Sequence, residues 1–169
     1  MNKEDLVIRP IRPADIKAVQ SFLLRQLKEL FSQEGQPAMT EDVWGLEKRY
    51  VEPANCNMWG IFTPAGEVAG TAAICTYNDR IALLKGRYNL PVTAEVGRCY
   101  IDQRLRRQGL GAKLLAEMTA FCREQGYAIM YLHTHRFLPG GFNFWKKEGF
   151  VITLDEGGSA ELVHMEKWL

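Results

Sequence analysis

The sequence carries almost no net charge: 21 Lys and Arg stand against 20 Asp and Glu, a formal +1 over 169 residues. That balance excludes the whole-molecule positive field of a nucleic-acid binder. Long hydrophobic runs are absent, and no stretch approaches the length of a membrane span. The opening MNKEDLVIRP lacks the apolar centre of a signal peptide, so the expected location is cytoplasmic. There is no Cys-x-x-Cys; Cys56, Cys75, Cys99 and Cys122 are scattered. Scattered cysteines predict reduced, separately buried thiols rather than a disulfide frame or a zinc site. No internal repeat and no low-complexity segment interrupts the chain.

What remains is an ordinary globular composition, 47% apolar and 24% charged, in a length that suits one domain with a real core. Residues 6–11 alternate as a first strand, and Pro10 favours an edge position. Asp15 stands where it can cap a helix to about residue 31, whose Ile16, Val19, Leu23, Leu27 and Leu30 share one face. Residues 33–40 read as a loop. A second helix over about 40–51 takes Thr40 as cap and Trp44 and Tyr50 as large apolar contacts. Residues 57–63 and 68–77 read as a hairpin closed by TPAGE. Residues 78–93 form a longer link, either a surface connection with one packed turn or a lid over a substrate pocket. Residues 128–133 are a buried strand, 138–148 a short helix, and 150–154 and 161–168 two final strands around a turn at 155–158. This order predicts a mixed α/β sheet of about six to seven strands with helices on both faces.

The chain is organised around residues 95–126, EVGRCYIDQRLRRQGLGAKLLAEMTAFCREQG. A β-favouring strand with Val96, Tyr100 and Ile101 passes through a turn at 102–111 into a helix. Leu110, Leu114, Leu115, Met118 and Phe121 mark the buried face of that helix, and Gly126 stands at its C-terminal cap. From Arg98 to Lys113 five cations (Arg98, Arg104, Arg106, Arg107, Lys113) accompany one anion, Asp102. A strand feeding a helix through such a turn leaves the first helical N–H groups without partners, which suits an anion. Gly109 and Gly111 let a phosphate approach the backbone. In a near-neutral protein a locally basic turn points to a polyphosphate ligand. A Walker lysine and the three-glycine dinucleotide pattern are both missing.

Arg106-x-x-Gly109-x-Gly111, between the strand AEVGRCYID and an amphipathic helix, resembles the acetyl-CoA motif of the GNAT superfamily of N-acetyltransferases. IRPIRPAD, KKEGF at 146–150 and HMEKWL resemble the family's opening strand and cap, the junction after its short helix, and its terminal strand. The resemblance covers nearly the whole chain and implies a single acetyltransferase domain over residues 1–169. It implies that the backbone of Cys99, Tyr100 and Ile101 pairs with the pantetheine arm. Backbone N–H groups of Arg106, Arg107, Gln108, Gly109, Leu110, Gly111 and Ala112 would hold the pyrophosphate, with side-chain charge from Arg106 or Arg107. A backbone N–H near Ile101 would polarise the thioester carbonyl. The implied reaction is direct attack of a primary amine, of a small molecule or a peptide, on acetyl-CoA, with no metal. A homodimer is a state the family often adopts.

An alkylammonium must lose a proton before attack, and Glu95 at the start of the strand is the candidate base. Strand alternation places it on the face of Gly97, Cys99 and Ile101; a solvent-facing or salt-bridged glutamate is the other reading. Where the resemblance implies a tyrosine that protonates the leaving thiolate, this sequence has Trp145, whose indole is no acid at neutral pH. That departure keeps a non-catalytic acyl-CoA sensor or interaction module as the alternative. His133 and His135 share a strand face, as polar strand-end residues or as substrate contacts, and lack a third metal ligand. Cys99 reads as a small buried residue before a nucleophile. Phe142, Phe144, Trp145 and Trp44 suit core packing or an apolar acceptor wall.

Overall fold

A computed structural model describes residues 5–31 and 40–169. Its strands are β1 (Val7–Pro10), β2 (Asn57–Phe62), β3 (Val68–Thr76), β4 (Thr93–Ile101), β5 (Ile129–His135), β6 (Val151–Gly157) and β7 (Leu162–Trp168). Its helices are α1 (Ile16–Phe31), α2 (Glu41–Trp44), α3 (Leu110–Glu124) and α4 (Gly141–Lys147). The strands form a seven-stranded mixed sheet in the order β1-β2-β3-β4-β5-β7-β6. By contact the chain divides into two compact units: one runs to Cys75 and resumes over Gly97–Met118, the other is Thr76–Val96 with Thr119–Leu169.

In the first unit, β1 pairs antiparallel with β2 and β2 with β3. Both β2 and β3 are buried along nearly their whole length, which is why they read as apolar runs rather than as alternation. Val19, Phe22, Leu23 and Leu27 of α1 pack on Met58, Phe62 and Ala73. Asp15 does not cap α1 directly: it ends a 3-10 turn, Pro13–Asp15, that leads into the helix, and its carboxylate accepts from Arg12 N at 2.8 Å and from Arg9 Nη1 at 2.7 Å. The predicted loop at 33–40 falls almost entirely outside the described residues. The second helix is shorter than expected: α2 ends at Gly45, and residues Glu47–Val51 form a wider π-type turn. Thr40 makes no side-chain cap, and Trp44 is 65% exposed, whereas Tyr50 is buried as expected.

The cysteine expectation needs correction. Asn57 pairs with Ile74 in the β2–β3 register, so Cys56 and Cys75 stand opposite one another, with Cα atoms 4.3 Å apart, and form a disulfide. Spacing along the chain conceals this pair because the hairpin creates it. Cys99 and Cys122 remain free thiols.

In the second unit, Thr93, Ala94 and Glu95 of β4 pair parallel with Ile129, Met130 and Tyr131 of β5. β5 and β7 pair antiparallel over seven residues, and β6 flanks β7 with two register shifts. The 78–92 link runs largely along the surface, with packed turns at two points. It holds short 3-10 turns at Ala82–Leu84 and Leu90–Val92, and buries Leu84 and Tyr88 against Tyr77, Ile129 and Tyr131. α3 ends as predicted, with Gly126 at φ +79° and Tyr127 N bonded to Cys122 O at 2.9 Å.

Candidate active site

The turn after β4 is built by its own side chains. Asp102 accepts from Arg104 N and Nε at 3.0 Å and from Arg104 Nη2 at 2.9 Å. Arg106 Nε reaches back to Ile101 O at 3.0 Å, tying the turn to the strand end. Two of the basic side chains therefore shape the loop. Leu105 is its buried anchor. Arg107 and Gly109 both take left-handed backbones, φ +61° and +77°. Such alternation curls successive N–H groups towards one side, a concave nest for an anion. α3 begins directly behind it at Leu110, so the helix start adds its own N–H groups and the positive end of its dipole. Arg106–Gly109 lie in this turn and Leu110–Ala112 open α3; the Arg106 N–H is taken by Gln103 O at 3.4 Å, so the donors left to an anion begin at Arg107.

β4 is interrupted just upstream. Tyr77 N donates to Thr93 O and Asp102 N to Ala69 O, so between these bonds β3 advances eight residues and β4 nine. One extra residue makes a β-bulge. Arg98 carries it, at φ +49°, a conformation costing a non-glycine residue about 1–2 kcal/mol. Side-chain contacts hold it there. Thr71 Oγ1 donates to Arg98 O at 2.7 Å. Arg98 Nε and Nη2 donate to the two oxygens of Asp42 at 2.8 and 2.5 Å, and Tyr50 OH donates to Asp42 Oδ2 at 2.7 Å. Burial pushes the Asp42 carboxyl up, but Arg98 and Tyr50 outweigh it and hold it below the usual range. The bulge breaks two-residue alternation, so a face counted from Glu95 cannot be carried past Arg98 to Cys99 and Ile101. Burial pushes the Cys99 thiol up to about 12, which removes it as a nucleophile at neutral pH. Tyr100 packs against the α1 core.

Glu95 lies in the second unit, 9% exposed. Arg80, from the 78–92 link, grips both its oxygens, Nη1 to Oε2 at 2.6 Å and Nη2 to Oε1 at 2.5 Å, and also donates to Asn78 Oδ1 at 3.1 Å. His133 Nδ1 stands 3.9 Å from Glu95 Oε1. Burial holds the His133 imidazole below its ordinary value, with Glu95 pulling the other way. A carboxylate with both oxygens in a guanidinium fork offers neither to another partner until that fork opens.

The two strand histidines meet different partners. His135 Nδ1 bonds to Ala160 O at 2.6 Å, while His133 faces Glu95. His164, which the sequence reading missed, is fully buried opposite His133. Its Nδ1 meets Tyr131 OH at 2.7 Å and its Nε2 meets Glu156 Oε1 at 2.6 Å. Trp145 is 6% exposed, edge-on to Phe144 and Phe150, so core packing accounts for it. Among the described residues no group of three His, Cys, Asp or Glu is placed to hold a metal. No described helix is long and apolar enough to cross a membrane.

Missed partners have a common origin. Arg98 in mid-strand and His164 in a terminal strand are polar residues in segments that must be buried, and Arg80, itself exposed, reaches from the 78–92 link to the buried Glu95. Each demands a partner that one-dimensional spacing does not name.

Known proteins agree with this architecture. A GNAT acetyltransferase of Staphylococcus aureus Mu50 superposes with a TM-score of 0.78 at 16% identity, covering 97% of this chain and 99% of that one. Ard1 of Thermoplasma volcanium superposes at 0.68 and 21% identity, covering 98% of each chain. The PaiA N-acetyltransferase of Thermoplasma acidophilum, solved in complex with coenzyme A, superposes at 0.68 and 19% identity, covering 97% and 99%. At these identities they show a shared fold. No curated protein matches the sequence. The family model described as the acetyltransferase (GNAT) family matches residues 18–150, spanning the bulged strand, the nest and α3, and the chain therefore belongs to the GNAT acetyltransferase family.

Proposed function

We propose that this protein is an N-acetyltransferase that moves the acetyl group of acetyl-CoA to a primary amine in a ternary complex, both compact units serving one acetyltransferase domain. The observation that carries this reading is the nest at Arg107 and Gly109 set against the start of α3. The residues present fit a pyrophosphate: two left-handed backbones, a helix dipole and a locally basic turn. Backbone N–H groups of Arg107–Ala112 hold the diphosphate, the Arg106 N–H being bonded to Gln103 O. The backbone of Cys99, Tyr100 and Ile101 lines the pantetheine arm, and an N–H near Ile101 stabilises charge developing on the thioester oxygen.

The amine must lose a proton, and Glu95 is the group that takes it. An incoming ammonium replaces the Arg80 guanidinium on the same two oxygens, one cation for another, and so reaches the base. The N–C bond forms first, placing the carbonyl electron pair on oxygen, and the return of that pair breaks the C–S bond and expels the thiolate. The thiolate takes its proton from water, because Trp145 has none to give. A cytoplasmic location suits an enzyme fed by an intracellular thioester. The homodimer implied by the resemblance is checked by sedimentation.

Thiol release from acetyl-CoA, followed with a chromogenic disulfide over a panel of polyamines, amino acids and lysine peptides, tests the reading. The expected result is amine-dependent release, with Glu95→Gln lowering kcat by about 10²-fold or more while CoA binding by calorimetry persists. Full kcat in Glu95→Gln removes Glu95 as the base. Trp145 favours a second reading, an acyl-CoA-binding module without catalysis. It predicts CoA binding and no release with any amine.

A further inference from the structure

Arg98 presents two expensive features in one residue. It is a charged side chain only 15% exposed, and it is a non-glycine residue with a left-handed backbone. Strain of that kind persists only where surrounding contacts over-determine it. Here the contacts are the fork onto Asp42, the Tyr50 hydroxyl on the same carboxylate, and the Thr71 hydroxyl on the Arg98 carbonyl. The last of these matters for β4 as a strand. A side chain bonds the Arg98 carbonyl at the point where β4 holds one residue too many, between the Tyr77–Thr93 and Ala69–Asp102 bonds. The peptide units of Arg98–Ile101 are therefore aimed by the bulge.

We propose that Asp42 is a positioning residue for acyl transfer: by clamping Arg98 it fixes the β4 bulge and so aims the backbone N–H groups of Cys99–Ile101. The proposal rests on the reading that acetyl-CoA lies along this part of β4. Asp42 does not touch substrate. It comes from α2, more than fifty residues away in sequence, and α2 has only four residues. α2 is seated by the buried Val43 and by Gln20 Nε2, which donates to Val43 O at 3.0 Å, and the Asp42 carboxylate is held by Arg98 and the Tyr50 hydroxyl. Electrostatic preorganisation demands that donors stand ready before charge develops, so a bulge free to relax loses rate rather than affinity.

The test uses the full-length protein and three variants: Asp42→Asn, Asp42→Ala, and Asp42→Ala combined with Arg98→Gly. Glycine takes the left-handed backbone without strain and removes the orphaned cation, so the double variant holds the bulge without the clamp. Two readouts are taken. One is kcat per CoA-binding site with the best amine of the panel, the sites counted by calorimetry. The other is the infrared carbonyl stretch of bound acetyl-CoA carrying a labelled carbonyl.

Asp42→Ala is expected to lower kcat by about 10- to 100-fold with the KM for acetyl-CoA changed less than threefold, and to shift the carbonyl band back towards its position in water. The double variant recovers most of both. If Asp42→Ala does not fold, Asp42→Asn, which keeps one acceptor oxygen, shows the same trend at smaller size, and the double variant still reports. Wild-type kcat and carbonyl frequency in folded Asp42→Ala or Asp42→Asn overturn the proposal, as does a double variant as impaired as Asp42→Ala. A merely structural Asp42 lowers the melting temperature and the count of binding sites but moves neither readout. A wild-type protein that neither binds CoA nor releases it overturns the acetyltransferase reading instead, before any variant is made.

Discussion

Acidification should weaken the fold through one imidazole, that of His133. The groups facing it are Glu95 and Arg80, with His164 and His135 beyond. Burial pushes its pKa down to about 4, against the pull of Glu95. In the unfolded chain the same group titrates near 6.5. The unfolded chain therefore binds the proton first. The contribution is complete above about pH 6.5 and disappears as pH falls towards 4. At about 1.4 kcal/mol per pH unit the whole shift is worth about 3 kcal/mol. However, 36% of the side chain is open to solvent, and water screens an exposed edge, so the working figure is about 1–2 kcal/mol. Urea unfolding of wild type and His133→Gln at about pH 7, 5.5 and 4.5 reads this directly. With a slope near 2 kcal/mol/M, the wild-type midpoint should drop by about 0.5–1 M more than that of the variant. Carboxylates titrate in both proteins, so the difference isolates the imidazole. Parallel drops, or a larger drop in the variant, would refute the reasoning.

Arg80→Ala should lower the KM for a cationic amine several-fold, because the ammonium no longer displaces a guanidinium; an unchanged or higher KM in steady-state kinetics counts against the exchange. Asp42 has a depressed pKa, so its contribution is present above about pH 4 and is lost as pH falls through its folded value. Asp42→Asn should accordingly flatten the acid limb of the stability profile and cost about 3 kcal/mol at neutral pH by urea unfolding. Gly109→Ala forces a methyl onto φ +77° and should weaken CoA binding about tenfold in calorimetry. Gly70→Ala places a Cβ 2.7 Å from Ile61 Cδ1 and 3.1 Å from Tyr100 O, so thermal unfolding should register a loss of about 1–3 kcal/mol.

The nest, α3 and the hairpin were legible in the sequence because each is written locally. Leu110, Leu114, Leu115 and Met118 repeat with the helix period and are all buried. Gly109 and Gly126 stand where the backbone turns left-handed. The second helix was overextended because the apolar size of Trp44 counted as burial, while Gly45 ends the α-helical hydrogen bonding beside it. The bulge was illegible for a definite reason: glycine is the expected marker of φ > 0, and here Gly97 only precedes the residue that adopts it. Glu95 stands out in the sequence as a carboxylate at the strand start, but its guanidinium partner lies fifteen residues back in a link with no periodicity. The Cys56–Cys75 pair needed the register of a hairpin whose existence, but not whose pairing, the pattern gives.

The kinked residue in β4 also constrains how this sequence can drift. Arginine at position 98 is tolerable only while position 42 is acidic, and glycine at position 98 makes an acid at position 42 dispensable. Single changes that abandon one solution before reaching the other leave either an orphaned charge or an unheld kink. Positions 42 and 98 should therefore show strong epistasis in a pairwise mutational scan, with two fitness peaks, Asp with Arg and a small neutral residue with Gly. The path between them takes Arg98→Gly as its first step, since that change removes the cation that the loss of Asp42 would otherwise strand.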